Sequence, residues 1–60
     1  MVVYTVDEVS SILKLPAETI RKYLRRGDLK GARIGRYWRI PEEELAAFIQ
    51  KNLKKEKKGG

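Results

Sequence analysis

A chain of 60 residues with 14 Lys and Arg against 8 Asp and Glu carries a formal net charge of +6, and it contains no cysteine and no histidine. Those absences exclude disulfides, thiolate nucleophiles, imidazole bases and the usual zinc sites, so no cofactor is expected. A chain this short buries only about 60% of the surface its unfolded form exposes, which leaves room for one small domain held by packing alone.

Thr5-Val6-Asp7-Glu8 fits a capping box, in which the threonine and the glutamate three residues later satisfy each other's backbone amides. The first helix is predicted over about 6–13, with Val6, Val9, Ile12 and Leu13 on its inward side and Asp7, Glu8, Ser10 and Ser11 outside. Leu15-Pro16 interrupts it, because proline disfavours α geometry in the residue before it yet suits the first turn of the next helix. The second helix is predicted over about 16–26. Gly27 is its natural left-handed exit, Arg25 and Arg26 sit where the helix dipole favours cations, and Ile20, Leu24 and part of Tyr23 face inward.

From Leu29 to Ile40 the helical period is lost. Short β-leaning pieces at 32–34 and 37–40 flank Gly35-Arg36, a two-residue loop suited to a hairpin turn, with Ile34, Trp38 and Ile40 expected inside. Pro41 opens a third helix with Glu42, Glu43 and Glu44 at the positive end of its dipole, and Leu45, Phe48, Ile49 and Leu53 form its apolar stripe. Residues 1–52 are read as the domain and 53–60 as a basic, flexible tail.

Mostly α with a small β-hairpin, in the order helix-turn-helix-hairpin-helix, this pattern describes a winged helix-turn-helix, whose second helix enters the major groove of DNA. The charge agrees with it. Residues 21–39 hold eight basic side chains against the single acid Asp28, and six of the other seven acids lie at 7, 8, 18 and 42–44. Arg21, Lys22 and Arg25 fall on the side of the second helix away from Ile20 and Leu24, while Arg36 stands at the hairpin tip with Arg33 and Arg39 on either side. Arg21 is the candidate for reading a guanine edge, and Lys22 and Arg25 for holding phosphate. Arg39 has a second reading, as a partner of Asp28 or of the glutamates that begin the third helix. Glu18 caps the dipole of the second helix or accepts from a cytosine amine.

The segments ETIRKYLRRGDL and RIGRYWRIP, with the Thr-Val-Asp-Glu-Val start, resemble the excisionase-type branch of the MerR-like winged helix domains over nearly all of residues 3–50. The resemblance implies that Thr19, Arg21, Lys22 and Tyr23 contact DNA from the helix, and that Arg36 and Arg39 do so from the wing. It departs at Lys14-Leu15-Pro16, where the family carries glycine, an apolar residue and serine.

The expected function is sequence-preferring binding of double-stranded DNA, by a factor that directs recombination beside an integrase or by a small regulator working with the transcription machinery. Adjacent copies of the chain are expected to bind repeated sites together, because one small module buries modest area. A protein interaction module with only non-specific affinity for nucleic acid is the alternative. RNA binding has thin support, since the outward aromatic candidates are only Tyr4, Tyr23 and Tyr37. An enzyme is not expected, because Glu42–Glu44 is the only dense carboxylate run and has no histidine beside it. No apolar run approaches the roughly 20 residues that cross a bilayer, and no basic start with an apolar h-region opens the chain, so a cytoplasmic location without membrane contact is expected.

Overall fold

In the computed structural model, which describes residues 2–59 and the side chains of 2–53, Thr5 starts the first helix by the reciprocal arrangement expected of it. Thr5 Oγ1 accepts from the Glu8 amide at 3.1 Å, and Glu8 Oε1 accepts from the Thr5 amide at 2.8 Å. Two backbone donors are thereby satisfied locally, and α1 runs Val6–Leu13. Lys14 ends it in the left-handed conformation (φ 57°, ψ 44°), with its amide and that of Leu15 both donating to the Ser10 carbonyl. Ser10 Oγ returns a hydrogen bond to the Leu15 carbonyl. The turn Lys14-Leu15-Pro16 is tied back to α1 through Lys14 and Leu15.

Pro16 is the residue before α2 (Ala17–Arg26) rather than its first member, and its carbonyl accepts from the Thr19 and Ile20 amides at 3.0 and 3.3 Å. Its fixed φ, here −60°, sets the entry into the helix in place of a side-chain cap. At the other end Gly27 takes φ 85°, and the Asp28 and Leu29 amides donate to the Tyr23 carbonyl at 3.0 and 3.3 Å. That reversal carries Leu29 inside, where it is only 1% exposed.

A three-stranded antiparallel sheet closes the fold: β1 (Val3–Tyr4), β2 (Ala32–Ile34) and β3 (Tyr37–Pro41), in the order β1-β3-β2. The pattern of residues 2–5 gave no hint of β1. It pairs Tyr4 with Ile40 and Val3 with Pro41, and the Glu42 amide donates to the Val2 carbonyl at 3.0 Å, so the start of the chain is tied to the start of α3 (Glu42–Gly59). The side chains of 54–60, on which the expected flexible basic tail rests, lie outside the described residues. No helix among the described residues is long and apolar enough to cross a membrane.

Val9, Ile20, Leu24, Leu29, Ile40 and Leu45 form the buried core, with Trp38, Tyr23, Phe48 and Ile49 packed on it. Every element except β1 and β2 places a residue there, and each fully buried aliphatic side chain contributes about 1.5–3 kcal/mol relative to exposure. Three expected inward residues are not inside. Ile12 is exposed because α1 offers its neighbours only a narrow stripe centred on Val9, and Leu53 is exposed because it lies a full turn beyond Ile49. Ile34, 64% exposed, fails by parity: the turn at Gly35-Arg36 pairs Ile34 with Tyr37 and Arg33 with Trp38. Cross-strand partners share a face, so Ile34 belongs to the face opposite Trp38 and Ile40.

Candidate nucleic-acid interface

α2 is fixed to the body by Ile20 and Leu24, one turn apart, and this leaves Arg21, Lys22 and Arg25 exposed on its other side. The wing is held separately. Gly35 sits at φ 64° with open space where a β-carbon would be, so conformation rather than crowding calls for glycine there, and Arg36 follows it at the exposed tip.

These two parts meet. A cleft between the N-terminal turn of α1, α2 and the wing is lined by Asp7, Arg21, Arg36, Tyr37, Trp38 and Arg39, together with Thr5 and Val6. Three arginines from two elements thus share one concave surface with a single carboxylate. The sequence pattern put Asp7 merely outside α1 and Tyr37 merely outward. Their approach to the arginines depends on how α1 packs against β3, which no local motif signals.

The arginines are arranged differently. Arg39 is half-buried: its Nη1 donates to the Trp38 carbonyl at 2.9 Å and its guanidinium carbon lies 5.5 Å from the Tyr37 ring centroid. Among the described residues it pairs neither with Asp28, which faces Arg26 Nε at 3.5 Å, nor with Glu42, Glu43 or Glu44 at the start of α3. Arg21 Nη1 lies 3.4 Å from Glu18 Oε1, and Arg25 Nη2 lies 3.6 Å from Glu18 Oε2. Such exposed pairs are each worth about 0–1 kcal/mol, so a phosphate can displace them at little cost. Arg36 is the exposed cation of the tip.

The remaining candidates stand apart from the cleft. Lys22 and Arg25 continue the exposed surface along α2, and Thr19 is half-buried near its start. Tyr23 turns toward α3, where its ring meets Phe48 at 5.2 Å between centroids and 50° between planes. Arg33 shares the strand face of Trp38 by register, opposite to the face of Tyr37 and Arg39, and does not line the cleft.

A helix-turn-helix domain family model matches residues 3–53. The chain belongs to this family. It is a DNA-binding helix-turn-helix domain in which α1 and α2 form the two-helix unit and β2-β3 the wing. The domain is also similar to a Bacillus subtilis (strain 168) protein described as "Uncharacterized protein YvgK", at 36% identity over 45 residues, which cover 75% of this chain and 15% of that protein. The chain therefore spans a small part of the curated relative it matches. No solved structure matches it significantly.

Proposed function

We propose that the domain binds double-stranded DNA with sequence preference, seating α2 in the major groove and the Gly35-Arg36 wing on the adjacent backbone or minor groove. One observation carries this reading: Arg21 of α2 lines the same cleft as Arg36 and Arg39 of the wing, so a single ligand surface touches both elements. Arg21 donates to guanine O6 and N7, while Lys22 and Arg25 hold phosphates along the helix. Thr19 contributes its hydroxyl near the start of α2. Tyr23 packs by its ring on Phe48 and offers its hydroxyl to the backbone. Arg36 and Arg39 bind from the wing, with Arg33 on phosphate at its other face.

A module of this size buries on the order of 600–1,000 Å² of protein surface, so tight binding calls for adjacent copies on repeated sites or for a protein partner, an integrase or the transcription machinery. Excisionase-like control of recombination and transcriptional regulation both fit.

The test is an anisotropy titration of duplex, single-stranded DNA and heparin at rising salt. Saturable, duplex-selective binding is expected, with log affinity falling by about 0.9 per neutralised phosphate against log salt. Equal affinity for all three polyanions contradicts the reading and favours the interaction module.

A further inference from the structure

A second concave surface shares no residue with the arginine cleft: a groove of about 620 Å³ between the end of α1, α2 and α3, with Leu13, Leu15, Tyr23, Phe48, Ile49 and Leu53 as its apolar lining. The first five of these are only half-buried. α3 sinks Leu45 into the core, but Leu53, about two turns further on, is 55% exposed. Residues 48, 49, 52 and 53 fall on one stripe of α3, the spacing by which one helix receives another. Asn52, the polar residue of the lining, is folded back on its own helix, its Nδ2 donating to the Phe48 carbonyl at 2.8 Å. An apolar lining drawn from three elements and left open to water marks a place where a further element packs.

Charge around the groove selects its occupant. Lys14 stands exposed between Leu13 and Leu15, and Arg26 and Lys51 line a recess that continues the groove past Tyr23, Phe48 and Asn52. Asp28 is the one acid of that recess, and Arg26 already faces it at 3.5 Å. The sequence from 51 to 58 holds five lysines and one glutamate, so a second copy laid along α3 would set like charges against each other. We propose that the groove binds an amphipathic helix of a partner protein, whose apolar side chains fill it and whose flanking aspartates or glutamates face Lys14, Arg26 and Lys51. This is the helix-in-groove mode of recognition: apolar burial supplies affinity, and the basic rim fixes the orientation and rejects basic helices. It goes beyond the DNA-binding reading and does not depend on it. Because groove and cleft share no residue, both can be filled at once, and a domain seated on a duplex can hold a protein beside it.

The experiment titrates isotopically labelled protein with three synthetic peptides: one with leucines at i, i+3, i+4 and i+7 and glutamates on the flanking positions, one with lysines in place of the glutamates, and one with serines in place of the leucines. Saturable binding of the first is expected, with backbone amide shifts at residues 13–15 and 48–53, and roughly 10-fold or weaker binding of the other two. Leu53→Gln, a change at an exposed position outside the core, should weaken the first peptide roughly 5-fold. Lys51→Glu should narrow the preference for glutamate over lysine roughly 3-fold. Equal binding of the glutamate-bearing peptides with and without leucine, with shifts at 33–39, would place a polyanion on the arginine face and overturn the proposal. Equal binding of the glutamate and lysine peptides overturns it too, as does binding of none. So does a concentration-dependent dimer with shifts at 48–53 before any peptide is added, which would give the groove to a second copy. None of these outcomes decides duplex binding, which the salt titration of duplex, single-stranded DNA and heparin tests separately.

Discussion

Gly31 lies against Leu24: a β-carbon at residue 31 would stand 3.0 Å from Leu24 Cδ2, 3.1 Å from the Arg39 carbonyl oxygen and 3.3 Å from Ile40 Cγ1. Leu24 anchors α2 and Arg39 belongs to the wing, so the close approach at Gly31 fixes where the one stands relative to the other. Gly31→Ala should therefore cost about 1–3 kcal/mol, the usual penalty for inserting a methyl into a packed site, because a backbone oxygen is one of the atoms that must yield. Denaturant unfolding checks it. A variant as stable as wild type would mean that the wing moves without resistance.

Lys14 is the non-glycine residue at positive φ among the described residues. Left-handed geometry costs an L-residue about 1–2 kcal/mol, and glycine returns part of that through its larger unfolded-state entropy. Lys14→Gly should stabilise the domain by about 0.5–1 kcal/mol and raise its melting temperature by several degrees. The departure from the family pattern at residue 14 is thus tolerated, not required, and an unchanged or lowered melting temperature would contradict this.

How much of this arrangement the sequence discloses depends on the range of the forces involved. Thr5 and Glu8, Gly27, and Gly35-Arg36 are local devices acting over two to four residues, and each lies where the pattern puts it. The parity of Ile34 was also legible, since a two-residue turn pairs residues 34 and 37 and hence 33 and 38. Apolar character alone misassigned it. β1 was not legible: two residues carry no period, and Val3 and Tyr4 become a strand only because β3 lies beside them. Within the candidate interface, the charge on residues 21–39 was plain in the sequence. That Arg21 shares a cleft with Arg36 and Arg39, that Arg33 does not, and that Tyr23 turns to Phe48 all depend on tertiary packing.

Arg21 and Arg36 should separate by function. Arg21→Ala should relax base preference at one position and cost roughly 1–3 kcal/mol on the preferred site. Arg36→Ala should weaken all duplexes more evenly and reduce the salt slope by about one. Site selection combined with salt titration reads both, and the reverse pattern would exchange the roles of helix and wing.

The proposed binding mode has α2 and the wing meet one ligand. Titrating isotopically labelled protein with a mixed-sequence duplex at moderate salt, while recording backbone amide shifts, tests it most directly. Shifts concentrated at residues 17–26 and 33–39 together are the predicted result. Shifts confined to residues 51–58 would mean that the lysine-rich segment alone attracts DNA, and would contradict the claim.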